Sequence, residues 1–510
     1  MFNRSSTPPL AAAGKSARGM RRFLATRRLL TAAAMGLTLV GTLPASTALA
    51  QPQREVRASE PARPAERRPN ILFILVDDMG FGDLSVMGNR KVQTPHLDRL
   101  AHDGVLLTKF YDAAPICSSS RAGFLTGRFP ADVGFVGITA GRARNAEIGQ
   151  ADWLDPKLPT IARLLQQNGY KTAHIGKWHL GGGRDIGDAP WPTAYGFDKS
   201  FTTFEGLGPR VLVSVEERFI AQQSVAIGQG PRFWEIKTNL TGLYADMTVD
   251  FVAQHADKPW FVNLWLNDMH DPWAPDDESL SDVMGKGDSA YDDQMLASLV
   301  KMDKTLGRLF DRLDQMGEMD NTLILVTSDN GPSPLARYHE RGETAPGSTE
   351  GLRGRKFSLY EGGIRQPLIM HWRGHAKAGT RDERTVAQGV DLLPTFAGII
   401  GAKVPPGSVG IDLSPALEGR PITQRPDLFW AYGKEGRPML GKPSQPIDVS
   451  PRFAIREGDW KLLANDGGTD VELYDLARDP MEKQDMAANE PEVRGRLLAK
   501  LRKWLARLPK

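Results

Sequence analysis

Ile71 to Val76 is an unbroken apolar run that stops at Asp77-Asp78. An apolar run without alternation predicts a strand buried on both faces, as in a parallel sheet covered by helices. Thr322 to Thr327 repeats the pattern and ends at Ser328-Asp329-Asn330-Gly331. Trp260 to Leu266 leads into Asn267-Asp268-Met269-His270, and the shorter Thr172 to Ile175 leads into Gly176-Lys177-Trp178-His179. Helical patterns lie between these runs, at 94–103, 158–168, 242–255 and 291–316. In the last, Met295, Leu296, Leu299, Met302, Leu306, Leu309, Phe310 and Leu313 recur near a 3.6-residue period. Strands alternating with helices predict an α/β fold, a large and mostly parallel sheet flanked by helices. Such sheets bind ligands at the carboxyl ends of their strands, where this chain places Asp, Asn, Lys and His. After about residue 420 the texture changes. Arg452 to Leu463 and Val471 to Leu476 read as short strands joined by an Asn465-Asp466-Gly467-Gly468 turn, with a closing helix near 490–508. The expected organisation is a large domain over 69–420, carrying the chemistry, and a smaller α+β domain with an antiparallel sheet over 421–510.

The ends of the chain and its charge refine this picture. Residues 1–50 hold seven basic residues and no acidic one, so the net charge of +3 hides a remainder near −4. A mildly acidic body gives no support for nucleic-acid binding. The basic stretch to Arg28 precedes an apolar run from Leu29 to Leu43 and then Ala48-Leu49-Ala50. That order predicts a secretory signal peptide over 1–50, and an exported protein, periplasmic or secreted. The apolar run is about 15 residues, short of the roughly 20 a membrane span needs, so no stable membrane span is expected. Arg21-Arg22 leaves the general and twin-arginine routes both open. Residues 51–68, rich in Pro, Arg, Glu and Ala, read as a flexible linker. A single cysteine in 510 residues excludes an internal disulfide framework and a cysteine-cluster metal site.

Asp77, Asp78, Asp329 and Asn330 offer only oxygen ligands, which suit a hard cation, Ca²⁺ or Mg²⁺. Adjacent carboxylates at a strand end repel unless a cation lies between them. Gly80 and Gly82 fit a loop running close to a ligand, and Asp83 reads as a helix cap. The lone cysteine opens Cys117-Ser118-Ser119-Ser120-Arg121, whose small hydroxyl residues suit the first turn of a helix. Cys117 would then stand at the positive end of a helix dipole, with Arg121 on the same face.

Cys117 to Arg128 resembles the sulfatase signature C-x-P-S-R-x-x-x-L-T-G-R, and Gly169 to Gly181 resembles the second signature of that family. Further ordered matches are Thr94 to Leu100, Ser328 to Gly331, Tyr360 to Pro367 and Leu473 to Leu476. From about 69 to 485 the chain resembles a type I, formylglycine-dependent sulfatase of the alkaline phosphatase superfamily. The resemblance implies an alkaline phosphatase-like fold. It implies that Cys117 is converted by a formylglycine-generating maturation enzyme into the nucleophile. It implies one calcium ion held by Asp77, Asp78, Asp329, Asn330 and the modified Cys117. Arg121 would steady the modified residue, Lys177 and His179 would hold the sulfate and the nucleophile, His270 would assist the leaving oxygen, and Lys356 would bind sulfate. The implied substrate is a small-molecule or saccharide sulfate ester. The physics agrees: displacement at a polyanionic centre needs cations on the equatorial oxygens and an acid at the leaving group.

Ser119 departs from the family pattern, which has Pro or Ala there. Two rival functions are open at this point. One is a phosphodiesterase or phosphonate monoester hydrolase of the same superfamily, separable by substrate preference. The other is a sulfated-glycan-binding protein without turnover, separable by whether Cys117 is converted. Residues 182–240 and 332–350 are expected to shape the pocket. Trp191, Trp234 and Trp273 are candidates to stack on a sugar or aryl ring, and Arg337, Arg341, Arg353 and Arg355 are candidates to read a second acidic group.

Overall fold

The computed structural model describes residues 68–213, 230–335, 342, 345–439 and 441–509. The expected signal peptide, nearly all of the expected linker, Arg337 and Arg341 lie outside them. The first apolar run forms strand β1 (Asn70–Val76), buried along its whole length. Its side chains alternate between two cores. Leu72, Ile74 and Val76 join a cluster with Leu240–Ala253 and Ala290–Gln315. Ile71, Phe73 and Leu75 join another with Phe124 and Leu125, Leu164 and Leu165, and Leu392 to Ala397. Helices on both faces therefore explain why this strand has no polar alternation.

Strands follow in chain order as β2 (Val105–Tyr111), β3 (Lys171–Lys177), β4 (Lys199–Thr203), β5 (Arg210–Val213), β6 (Arg232–Glu235), β7 (Trp260–Leu266), β8 (Thr322–Ser328), β9 (Arg365–His371), β10 (Thr380–Asp382) and β11 (Ala387–Gln388). They build one sheet in the order β10-β2-β9-β8-β1-β7-β3-β4-β5-β6, with β11 also on β2. Only β9 runs against its neighbours, β2 and β8. From β1 the chain crosses to β2 on one side and then to β3 on the other. That reversal opens a crevice at the carboxyl end of β1, where α/β sheets bind ligands. Register levels the strand ends, since Val76 pairs with both Leu266 and Ser328. Gly176 pairs with Trp265, which sets Lys177 one step further toward the same rim. Gly176 has φ +110°, and a Cβ there would meet the Trp265 carbonyl oxygen at 1.9 Å, so only glycine fits.

A second, antiparallel sheet holds β12 (Leu428–Ala431), β13 (Phe453–Glu457), β14 (Trp460–Ala464) and β15 (Glu472–Asp475). The closing helix Pro491–Leu505 packs on it through Leu497, Leu501 and Trp504. Both sheets belong to one compact unit, Ala65–Lys510. The expected strand over 452–463 is in fact a hairpin. Glu457 pairs with Trp460 across Gly458-Asp459, with Gly458 at φ +59°. That two-residue turn needs a positive φ, which glycine supplies. Among the described residues no helix is long and apolar enough to cross a membrane.

Candidate active site

Helix α1 (Cys117–Thr126) begins at the cysteine, capped by extended Ile116, and ends at left-handed Gly127, whose N–H donates to the Gly123 carbonyl. All ten of its residues are buried. The Cys117 thiol lies 3.3 Å from Asp77 Oδ1 and 3.8 Å from Asp78 Oδ1. Ligand atoms of Asp77, Asp78, Cys117 and Asp329 all fall within 4.8 Å of one another. Asn330 is buried beside them; its Nδ2 donates to Asp78 Oδ1 at 2.7 Å, and its Oδ1 has no partner. A buried orphan oxygen among three converging carboxylates fits a hard divalent cation.

Cations ring this core. Arg121 grips Asp329 Oδ2 through Nε (2.8 Å) and Nη2 (2.6 Å), donates from Nη1 to the Lys177 carbonyl, and lies over the Trp265 ring. Lys177 Nζ reaches Asp77 Oδ2 at 2.5 Å. Lys356 Nζ forks onto both oxygens of Asp78, at 2.6 and 2.7 Å. His270 Nε2 stands 3.8 Å from Asp78 Oδ2, with Nδ1 2.6 Å from the Asp271 carbonyl oxygen. The structure thus brings Asp77, Asp78, Asp329, Asn330, Cys117, Arg121, Lys177, Lys356 and His270 together through direct contacts. His179 is two residues beyond Lys177, buried, with neither ring nitrogen hydrogen-bonded. Asp78 (φ +63°) and His179 (φ +58°) both hold the left-handed backbone that non-glycine residues rarely adopt. Such strain gathers at functional sites.

The charges respond to one another. Burial alone would raise the Asp77 carboxyl, but Lys177, His270 and Arg121 outweigh it and hold Asp77 well below the usual range. Lys356 and His270 do the same for Asp78 against burial. For Asp329 burial wins, with Asp77 adding to it, and the group is pushed up to about 6 despite Arg121. Three carboxylates this close compete to stay ionised, and a cation among them would relieve that competition. Burial, then Asp329, raises the Cys117 thiol, so the unmodified side chain is a neutral thiol. Burial, then Lys177 and Arg121, drive His179 well down. Burial lowers His270 to about 4 against the pull of Asp78; with 28 % of its side chain exposed, solvent screens part of that shift.

Some expectations are corrected. Asp83 caps no helix: it accepts from the Gly80 and Ser348 N–H groups, both at 2.6 Å, and clamps the loop behind Asp78. Arg353 donates to Tyr474 Oη and the Glu482 carbonyl and stacks on Tyr360. Arg355 hooks onto the Ser333 and Ala345 to Gly347 carbonyls. Both arginines are thereby committed to holding loops. Trp273 is core, buried with its indole N–H on the Met269 carbonyl, whereas Trp191 and Trp234 are 37 % and 47 % exposed. Glu205, just after β4, was missed. It is 5 % exposed, at φ +50°, and its Oε2 is 3.6 Å from His179 Nε2. The signal for it was a further strand ending in a charged residue.

The family model described as Sulfatase matches residues 69–402. The chain belongs to the sulfatase family. It is a type I sulfatase of the alkaline phosphatase superfamily, a sulfuric ester hydrolase. A second model, N-sulphoglucosamine sulphohydrolase, C-terminal, matches residues 352–510. This sulfatase is 31 % identical to human arylsulfatase A, over 84 % of this chain and 86 % of the relative. It is 29 % identical to the N-acetylgalactosamine-6-O-sulfatase of Bacteroides thetaiotaomicron, over 84 % of this chain and 91 % of that one. Among solved structures it resembles the crystal structure of Ps i-CgsB in complex with k-i-k-neocarrahexaose, with TM-score 0.70 and 25 % identity, covering 86 % and 93 % of the two chains.

Proposed function

We propose that this protein is an exported, calcium-dependent sulfatase that hydrolyses an aryl or carbohydrate sulfate through a formylglycine made from Cys117 by a maturation enzyme. The observation that carries it is the convergence of Asp77, Asp78, Asp329 and Cys117 inside a ring of Arg121, Lys177 and Lys356. Asp77, Asp78, Asp329 and Asn330 would hold the calcium, which would polarise a sulfate oxygen. The hydrated aldehyde would supply the attacking hydroxyl that a neutral thiol does not. Lys177 and Lys356 are placed to turn their ammonium groups from carboxylates to sulfate oxygens once a cation takes over Asp77 and Asp78. Arg121 stays on Asp329 and the Lys177 carbonyl and fixes the helix that carries the nucleophile. His270, the most exposed group of the set, is placed to give a proton to the departing oxygen. His179, neutral and unpartnered, is placed to take one.

Net charge admits either ester, and the sulfate reading rests on the family and its relatives. The three acids and three permanent cations of the site cancel, so a divalent ion leaves it at +2. A sulfate monoester carries one negative charge, while a phosphate monoester approaches two near neutral pH. The relatives named above act, by their names, on aryl and amino-sugar sulfates, which supports an aryl or saccharide substrate here. The test pairs chromogenic esters that differ only in sulfate or phosphate, followed by sulfated saccharides, with mass spectrometry of the Cys117 peptide. The expected result is a converted Cys117 and a higher kcat/KM on sulfate. A preference for phosphate or phosphonate esters would refute the sulfate reading, and an unconverted Cys117 with no turnover would leave a binding protein.

A further inference from the structure

Outside the ring around the metal site, a buried carboxylate faces His179. Glu205 follows β4, and two consecutive left-handed residues, Phe204 (φ +41°) and Glu205 (φ +50°), turn it inward. Such a pair persists only where the surroundings hold it. Here they do. The His179 N–H donates to the Phe204 carbonyl at 3.2 Å, and the Trp178 N–H to the Thr203 carbonyl at 3.1 Å, tying this turn to the segment that carries His179. A Cβ on Gly183 would meet Glu205 Cγ at 3.0 Å, so a small residue there keeps room for the carboxylate.

The carboxylate itself is fixed from two sides. Arg184 Nε donates to Oε1 and Thr139 Oγ1 donates to Oε2, each at 2.5 Å. Thr139 is in turn bound through its N–H and its hydroxyl to Ser118 Oγ, both at 3.1 Å. Ser118 is the residue after the cysteine. A continuous polar chain therefore runs from the first turn of the nucleophile helix through Thr139 to Glu205, and ends 3.6 Å from His179 Nε2. At 3.6 Å this is an ion-pair contact rather than a hydrogen bond. The other face of the ring is packed edge-on against Phe204, with centroids 4.6 Å apart. His179 is 1 % exposed, and neither nitrogen has another hydrogen-bond partner among the described residues.

We propose that Glu205 is a positioning residue that accepts the Nε2 proton of His179 and so leaves Nδ1 as the base toward the reacting groups. Taking the sulfatase chemistry proposed above as given, one proton moves from a reacting hydroxyl to Nδ1 and leaves to water after product release. Glu205 neither gains nor loses it; the carboxylate stabilises the imidazolium that forms. The surrounding charges show why a carboxylate is needed. Lys177, Arg121 and Arg184 all oppose the protonation of His179 and Asp77 favours it, while Glu205 is the carboxylate paired with the ring, at 3.6 Å. With Asp77 committed to the metal, Glu205 is the acid left to serve the ring. Burial raises the Glu205 carboxyl above its usual range, and Arg184, the Thr139 hydroxyl and Lys177 oppose that rise.

The experiment compares Glu205→Leu, Glu205→Gln and Arg184→Met with the wild type, by steady-state kinetics on a sulfate ester and by ¹⁵N imidazole NMR with His179 assigned through His179→Gln. Glu205→Leu should lower kcat about 100-fold with KM within about threefold, the size of a lost acid–base contribution. Glu205→Gln keeps an acceptor oxygen and should recover about tenfold of that loss, with the acid limb of its kcat–pH profile displaced to lower pH, because removing a negative charge makes His179 harder to protonate. The NMR spectrum should show the proton on Nε2 in the wild type and in Glu205→Gln, and lose that preference in Glu205→Leu. Arg184→Met, which spares Thr139 and His179, should keep the Nε2 proton. A folded Glu205→Leu with wild-type kcat, or with an unchanged His179 tautomer, overturns the role of Glu205. So does an Arg184→Met that reproduces the whole loss without a tautomer change, since the ion pair would then be structural. The NMR arm does not depend on turnover, so a wild type inactive on sulfate esters would refute the sulfatase mechanism while Glu205 is still decided.

Discussion

Two buried charge clusters in this molecule make opposite use of the same chemistry. At the ends of β1 and β8, the acids Asp77, Asp78 and Asp329 converge on one another, and the cations stand outside them. Between the two sheets, the order is reversed: Lys461 sits between Glu361 (3.0 Å) and Glu482 (2.9 Å), and Arg456 and Glu361 both contact the Tyr111 hydroxyl. Like charges kept apart by a cation of the chain form a finished structure. Like charges that face each other, with Asn330 Oδ1 left over and the backbone strained at Asp78, are arranged for something the chain does not supply.

The comparison breaks most sharply at Cys117. Cys117→Ala should lose about 10⁴-fold or more in turnover, to background, while folding normally and still taking up calcium through its oxygen donors. Substantial residual turnover would remove Cys117 from the chemistry. Next come Asp78→Ala and Asp329→Ala. Each should abolish activity and also lower the melting temperature in chelator, because Lys356 or Arg121 is then left buried without its carboxylate. Chelation of the wild type should lower activity and calcium restore it; full activity in metal-free protein verified by elemental analysis would refute the site. Lys461→Met should differ in activity rather than in stability. Leaving two buried carboxylates without their cation costs about 3–5 kcal/mol in urea unfolding, with kcat per folded molecule unchanged.

A smaller effect belongs to His174, caged by Trp178, Trp265 and Phe197 with Nδ1 on Asn263. Burial, then Arg121, pushes it down to about 3, so the folded protein binds this proton less readily than the unfolded chain, whose histidines titrate near 6.5. Stability is therefore held above pH about 6.5 and lost as pH falls toward 3. Between pH 7 and 5 this one group accounts for about 2 kcal/mol. His174→Phe should flatten the acid limb of the stability profile by that amount; an unchanged slope would place the titration elsewhere. The smallest change is expected from Ser119→Pro. Ser119 is the third residue of helix α1, where no intrahelical N–H bond is needed, and its hydroxyl donates to the Gly137 carbonyl at 2.7 Å. Losing that bond should cost about 1 kcal/mol, while mass spectrometry should find more of Cys117 converted. An equal converted fraction would mean serine is already well accepted.

The strand ends were legible because a strand covered on both faces carries few polar residues until it leaves the sheet. Asp77, Lys177, Asn267 and Asp329 announce themselves in that way. Helices were legible within a few residues, as in 291–316 against Ala290–Gln315. The edge of the sheet was not. β4, β5 and β6 are four or five residues long, and β6 is largely exposed, so no continuous apolar run marks them. Glu205 was lost with β4. Arg353, Arg355, Trp273 and Asp83 were misjudged for a different reason: their partners are main-chain carbonyls, N–H groups and rings that only the folded chain brings near. Composition offers nothing to separate an arginine that reads a ligand from one that ties down a loop.

The cover over the nucleophile helix sets a clock. Ile116 and Cys117 pack in the same cluster as Trp430, Leu462, Leu473 and Trp504, and the Trp430 indole N–H is bonded to the Asp112 carbonyl. Once those late segments dock, Cys117 has no exposed surface. Ribosomes add roughly 5–20 residues per second, so roughly 20–80 seconds separate the appearance of Cys117 from that of Trp504. The maturation enzyme proposed above would have that interval, plus any delay before docking, in which to find the thiol. The order in which the chain is made thus becomes part of how the site is made.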